Sequence, residues 1–387
     1  MNIAYILHTT SPTDGATKAI LALMPKLCKN GITPYFIVPD KNGIYESLKT
    51  YYRNVFATTF RPSCYPYHRN FKEKILFLPR LVARRITEHI GIARTYSYLK
   101  DKNISIVHTN VSIINLGYYV AKHLAIPHVF HIREYAEEIG YQRYPSRNAF
   151  IKKLCQNNSY NITITKAIQQ YYEQEKNKNS STIYDGIPMS GTEIANVTKE
   201  NFFLFAGRIQ KAKGLDLIID AFHNAKCNKS IVFPLYIAGA SIDNVYLQML
   251  KQKITKYHLE DLIIFKGERK DLAQMMQKAT AIIIATEYEG FGLCMVEAMQ
   301  NNCLVIGRNT AGTREQFDNG LALKGQEIGL RYRNSMELSN IISKISNKKT
   351  NYADTVKKAK EAINELYTIG NSSNKLIQLY DNIINKE

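Results

Sequence analysis

Phe202-Phe203-Leu204-Phe205-Ala206-Gly207-Arg208 carries an unbroken apolar run straight into a glycine and a cation, and Lys213-Gly214-Leu215 opens the next periodic stretch. Apolar residues then recur at helical spacing over 215–225, so the segment reads as strand, loop, helix. The same rhythm continues downstream. Strand-like runs at 233–238, 262–265, 281–285 and 304–306 alternate with helical patterns at 245–257 and 293–300. Upstream, runs at 3–7, 35–38, 104–108, 128–132 and 161–165 repeat it. Strands alternating with helices imply parallel sheets covered on both faces. The expected fold class is therefore α/β, with two doubly wound, Rossmann-like domains facing a central cleft.

Between the two series, Asp185-Gly186-Ile187-Pro188 through about Glu200 is polar and rich in breakers, as a linker is. The expected division is 1–185, a linker at 186–200, and 201–387, with the last helix crossing back to the first domain. A length of 387 residues accommodates two or three domains. In folds of this kind ligands lie at the carboxyl ends of the strands, where loops and helix N-termini converge.

Lysine and arginine number 51 against 33 acidic residues, a formal charge of +18. A surface this basic attracts anions: nucleic acid, anionic lipid or phosphorylated small molecules. No helix-turn-helix, zinc-finger or single-strand-binding signature is present, which disfavours nucleic acid. The six cysteines include no C-x-x-C pair or Cys/His cluster, so neither a disulfide framework nor a bound metal is expected. The N-terminus lacks the basic segment of an export signal, and no stretch reaches the roughly 20 apolar residues of a membrane span. The expected location is cytoplasmic, with peripheral attachment to the inner face of the cell membrane open.

Arg208 and Lys213 put two cations at the end of a strand, where a planar fork and a point charge together can hold a diphosphate. Solvated loop cations are the alternative. A second segment bears on the choice: Thr286-Glu287-Tyr288-Glu289-Gly290-Phe291-Gly292-Leu293-Cys294-Met295-Val296-Glu297. Here a strand gives way to an acidic turn, two glycines and a helix start, which presents backbone N–H groups and the positive helix terminus to an anion. Glu297 lies roughly 7–8 Å along the helix from Gly292 at 1.5 Å per residue. It can reach a ribose diol attached to such a phosphate, while Glu289 can reach a sugar on the other side.

Glu289 and Glu297, eight positions apart around Gly-Phe-Gly-Leu, with Gly207-Arg208 and Lys213-Gly214, resemble the E-x7-E element and basic pair of retaining glycosyltransferases of the GT4 type, which have the GT-B fold. The resemblance implies that Gly207, Arg208 and Lys213 bind a donor diphosphate with help from amides around Phe291, Gly292 and Leu293. It also implies that Glu297 takes the ribose, Glu289 contacts the transferred sugar, and the base lies near Gly267-Glu268. Gly15, in Thr13-Asp14-Gly15-Ala16-Thr17, stands where the family has a glycine loop, although one of two usual glycines is Asp14 here. His131, in His131-Ile132-Arg133-Glu134, resembles the catalytic-region histidine, and its near-neutral pKa would make its protonation tunable. His108 is a second strand-end histidine. Thr310-Ala311-Gly312-Thr313-Arg314-Glu315 falls in order as a further loop.

The activity implied is transfer of a hexose, with retention, from a nucleotide-sugar, expected to be a UDP-sugar, to a glycan or lipid-linked acceptor in cell-surface polysaccharide synthesis. A nucleotide-sugar hydrolase or epimerase, and a non-catalytic nucleotide-sugar or polyanion binder, are the alternatives. Residues 70–102 interleave Lys72, Lys74, Arg80, Arg84, Arg85 and Arg94 with apolar side chains, and Val82, Ile86 and Ile90 repeat every four residues. A basic amphipathic helix of this kind suits an anionic membrane surface. It could equally pack its stripe on the first-domain sheet.

Overall fold

A computed structural model describes residues 1–66, 71–188, 197–228, 232–241, 243–348 and 350–385. The linker residues 189–196, with Asn70 and the Lys72 side chain, lie outside that description. The chain forms two compact units, Met1–Pro188 with Ile369–Glu387, and Met189–Thr368.

Unit 1 contains β1 (Asn2–Ile6), β2 (Thr33–Val38), β3 (Val55–Ala57), β4 (Cys64–Pro66), β5 (Ile104–Thr109), β6 (His128–Ile132), β7 (Tyr141–Arg143), β8 (Ser159–Thr163) and β9 (Ser180–Thr182). Seven of these make one parallel sheet in the order β3-β2-β1-β5-β6-β8-β9, while β4 and β7 pair antiparallel outside it. Residues of β1 alternate between the faces. Ile3 and Tyr5 join one buried cluster, with Leu23, Leu27 and Tyr380, and Ala4 and Ile6 join another, with Ile92, Leu116 and Val120. Burial on both faces is why residues 3–6 of the strand are apolar. Helix Ile369–Ile384 contributes Leu376, Tyr380 and Ile383 to the first cluster.

Unit 2 contains β10 (Glu200–Ala206), β11 (Leu235–Ala238), β12 (Ile263–Gly267), β13 (Ala279–Ile284), β14 (Leu304–Arg308) and β15 (Leu330–Tyr332). Its parallel sheet has the order β12-β11-β10-β13-β14-β15. The chain works outward from β10 to β12, then returns to the other side of β10. Such a reversal leaves a crevice at the carboxyl ends of β10 and β13. The quoted run 202–206 is thus the inner strand beside the crevice, with Phe203 and Phe205 in the core of the unit.

Candidate functional site

Two loops meet at the unit 2 crevice. The loop after β10 carries Gly207, Arg208 and Lys213 and ends at Gly214, the residue before helix Leu215–Cys227. The loop after β13 carries Glu289 and ends at Gly292, the residue before helix Leu293–Gln300. Gly214 has φ +68°, and a Cβ there would lie 2.4 Å from the carbonyl oxygen of Ala285. A glycine is needed for the loops to approach this closely. The Cys294 thiol also reaches the Ala206 carbonyl at 3.5 Å.

The contact that defines the site is Lys213 Nζ to Glu289 Oε2, 3.0 Å, between side chains 27% and 16% exposed. Burial pushes the Glu289 carboxyl up, but the Lys213 charge, with hydrogen bonds from Lys213, Thr286 and the Gly290 backbone, holds it below the ordinary carboxylate range. Glu289 is therefore an anion throughout the neutral range. Gly292 adopts φ +82°. This left-handed turn opens the helix without a side-chain cap, which leaves its first N–H groups for water or an anion.

The turn is braced from behind. Gly312 N donates to the Glu289 carbonyl at 3.0 Å, and the Gln316 side chain bonds the Phe291 carbonyl. Phe291 itself is buried with its ring 5.0 Å edge-on from Tyr367, so only its backbone is available to a ligand. Residues 311–315, expected as loop, begin helix Ala311–Lys324 instead. The apolar pattern that would have marked that helix is weak, because Gly312 and Thr313 pack tightly beneath the turn.

The structure brings Gly207, Arg208, Lys213, Glu289, Phe291, Gly292 and Leu293 onto these two loops and the helix start. Arg208 is exposed, with no ion pair or hydrogen bond among the described residues. Glu297 lies exposed on helix Leu293–Gln300, five residues beyond Gly292. Glu268 is exposed just after β12, which runs to Gly267 rather than stopping at 265. Two strand spacings, about 10 Å, separate β12 from β10. The Gly267 carbonyl accepts from Gly239 N at 2.8 Å.

Gly15 and His131 belong to unit 1. Gly15 begins helix Gly15–Lys29, whose N-cap is Asp14, accepting from Thr17 N at 2.8 Å. Burial raises the Asp14 carboxyl, but His8 and Thr17 outweigh it and bring it to about 2. Asp14 thus caps a helix at the position where the family has a second glycine.

His131 sits inside a polar chain that sequence reading did not foresee. His131 Nδ1 lies 3.2 Å from His108 Nε2 and 3.3 Å from Arg133 Nη2, and His108 Nδ1 lies 2.6 Å from the Tyr380 hydroxyl. Arg133 also bonds Asp185 at 2.5 Å and Asn110 at 3.1 Å, and Asn110 donates to the Ala16 carbonyl at 2.8 Å. A guanidinium only donates, so His131 Nδ1 accepts and its proton resides on Nε2. Burial first, then Arg133 and His108, hold His131 well below its ordinary pKa. The tunable, near-neutral histidine of the sequence reading is instead a fixed neutral ring. Nothing in the local sequence announces this, because Tyr380 lies 272 residues from its partner His108.

Among the described residues, no group of His, Cys, Asp and Glu side chains is arranged to hold a metal ion.

Two doubly wound units of this kind have the GT-B fold. The chain superposes on Anabaena HepE in complex with UDP at a TM-score of 0.76 and 17% identity, covering 99% of this chain and all of that one. Residues 192–362, most of unit 2, match the family model of glycosyl transferases group 1. An uncharacterized glycosyltransferase of Methanocaldococcus jannaschii, MJ1178, is 22% identical over 56% of this chain and 59% of its own length. The N-acetylgalactosamine-N,N'-diacetylbacillosaminyl-diphospho-undecaprenol 4-alpha-N-acetylgalactosaminyltransferase of Campylobacter jejuni is 28% identical over 31% of each chain. The chain thus spans about three fifths or less of these curated relatives.

Proposed function

We propose that the protein is a retaining, GT4-type glycosyltransferase that moves a hexose from a UDP-sugar to a glycan or lipid-linked acceptor. The observation that carries this is the Lys213–Glu289 pair beside the glycine-opened helix: a cation for a leaving diphosphate next to a carboxylate for the transferred sugar. The UDP seen in the HepE complex, and the lipid diphosphate named for the Campylobacter relative, support the donor and acceptor classes.

Breaking the bond between the anomeric carbon and the diphosphate builds negative charge on phosphate. Arg208, Lys213 and the N–H groups after Gly292 meet it with preorganised donors, and deleting one such donor costs on the order of 3–4 kcal/mol in comparable anion holes. The acceptor oxygen attacks on the face the diphosphate leaves, and its proton passes to the departing phosphate. No step is assigned to a metal. Glu289 holds hydroxyls of the transferred sugar, Glu297 the ribose, and the backbone by Gly267-Glu268 the base. The family resemblance implies roles for Gly15 and His131 of unit 1 as well.

Residues 70–102 are proposed to dock the protein on an anionic bilayer at the cytoplasmic face. In helix Phe77–Leu99, Glu88, Gly91, Ile92, Thr95 and Leu99 face the unit 1 core, whereas Leu78, Val82, Ile86 and Ile90 are exposed. The stripe therefore does not pack on the sheet, and an exposed apolar stripe flanked by arginines is what such a surface takes up. Arg84 is committed elsewhere: it donates to the Cys64 carbonyl at 2.9 Å and covers the Tyr65 ring. Among the described residues no helix is long and apolar enough to cross a membrane.

The test is a transfer assay over a panel of nucleotide sugars with and without acceptor. Donor turnover that depends on acceptor supports the reading, and turnover indifferent to acceptor identifies a hydrolase or epimerase.

A further inference from the structure

A cavity of about 250 Å³ lies within unit 1, bounded by β4, β7 and helices Phe77–Leu99 and Arg147–Leu154. Arg85, Arg143 and Lys153 line it, with Asn115, Ser63 and Ser146. Two of the three cations are already paired. Arg85 holds Glu88 at 2.7 Å, and Arg143 holds Glu137 at 2.8 Å while its remaining N–H groups reach Ser112 and Tyr172. The other Glu88 oxygen accepts from Ser63 at 2.7 Å. Among the described residues Lys153 pairs with no carboxylate: its Nζ rests over the rings of Tyr118 and Tyr119, 5.2 and 4.9 Å from their centroids.

The site thus desolvates a cation, and Glu88, the acidic group that acts on it, is bonded to Arg85 and Ser63. Burial lowers the Lys153 pKa to about 8, Glu88 opposing and Arg85 and Arg143 adding to the fall, with the Cys64 thiol a smaller opposing influence. A second buried group in the wall also lacks a partner. The Asn115 side-chain oxygen is buried with no hydrogen-bond partner among the described residues. An amide oxygen accepts, so this group meets a hydroxyl of a ligand rather than a phosphate oxygen. Ser146 Oγ accepts from Ala149 N at 3.1 Å, which leaves its O–H free to donate. Unpaired buried polar groups carry a cost that a ligand removes.

We propose that this pocket is a second anion site, taking the phosphate ester or diphosphate of the acceptor, an assignment that rests on the acceptor class proposed above. Its volume matches about eight water molecules at ~30 Å³ each, room for a phosphorylated headgroup rather than a whole nucleotide sugar. Arg85 precedes Ile86 of the exposed stripe, so a chain attached to a phosphate in the pocket can leave along the apolar side of helix Phe77–Leu99.

The experiment uses the full chain carrying Arg208→Ala and Lys213→Ala, which silences the unit 2 phosphate loop. Lys153 is acetylated at pH 8 with sulfo-N-hydroxysuccinimide acetate, and its rate is read by peptide mass spectrometry. Pyrophosphate at ten times its dissociation constant should slow the reaction roughly tenfold against a chloride control of equal ionic strength. An unchanged rate overturns the assignment. Dihexanoyl phosphatidic acid is the second arm: protection at lower concentration than pyrophosphate identifies a lipid-borne phosphate, and equal protection a free one. In the otherwise native chain, Lys153→Gln and, independently, Ser146→Ala should lose the thermal upshift given by dihexanoyl phosphatidic acid while keeping that given by UDP. Loss of the UDP response in the native chain would instead count against the unit 2 reading alone.

Discussion

Glu289→Gln and Lys213→Ala should move nucleotide affinity in opposite directions. Lys213 Nζ lies 3.0 Å from Glu289 Oε2. At an effective dielectric of about 20 the bare attraction at that distance is roughly 5–6 kcal/mol, an upper bound on a pair that retains some solvent. The ammonium is therefore shared: part of its field is spent on Glu289 before a diphosphate arrives. Removing Lys213 deletes a charge-assisted hydrogen bond worth about 1.5–3 kcal/mol, or roughly 10- to 150-fold in Kd for UDP. It also leaves Glu289 facing the diphosphate. At a separation of about 6–7 Å the repulsion is roughly 2–3 kcal/mol per charge before screening, about half of which survives in ordinary salt. Glu289→Gln removes that repulsion and should tighten UDP by about 1 kcal/mol, close to fivefold, while transfer falls by orders of magnitude. The double variant should bind more tightly than Lys213→Ala alone, since the two side chains are in contact and their effects do not add. Titration calorimetry with UDP in all four proteins reads the order directly. Lys213→Ala within twofold of the parent, or Glu289→Gln tenfold weaker, would refute the arrangement of lysine on phosphate and carboxylate on sugar.

Gly292→Ala should keep the fold and weaken UDP, because φ +82° costs an alanine about 1–2 kcal/mol and its Cβ would lie 3.2 Å from Glu289 Cγ; circular dichroism and calorimetry separate the two effects. Unit 1 should lose stability in mild acid. His108, His128 and His131 are held below their ordinary pKa by burial, His128 to about 3, so the unfolded chain takes up protons first. Their contribution is complete above about pH 6.5 and declines as pH falls below it. Thermal unfolding at pH 7.5 and 5.0 should show this, and His128→Gln should reduce the difference. Replacing Val82, Ile86 and Ile90 with serine should release the protein from anionic liposomes with its unfolding temperature unchanged, because all three are exposed; unchanged partition in a sedimentation assay would remove the docking proposal.

What the sequence disclosed and what it hid divide along one physical line. The inner strands were legible because parallel strands buried on both faces are continuously apolar, as in 202–206 and 281–284. Edge strands β3, β9 and β15 are three residues each and bury too little to leave such a trace. The unit 2 loops were legible for a related reason: Gly207-Arg208, Lys213-Gly214 and Glu289 to Gly292 lie on single short segments, where spacing reports geometry. The polar chain of unit 1 has no such local record. His108, the His131/Arg133 pair, Asp185 and Tyr380 come from four separate parts of the chain, and each alone reads as ordinary. The same limit applied to Lys153, whose significance lies in what does not pair with it. Helix Phe77–Leu99 is the intermediate case: its period was visible, yet period alone cannot say which face is covered. Glu88, buried among apolar neighbours through its bonds to Ser63 and Arg85, turned the helix the other way. A buried, paired carboxylate thus outranked four isoleucine, valine and leucine side chains in setting which side meets solvent, and that choice leaves Ile86, the residue after Arg85 of the cationic pocket, exposed rather than in the core.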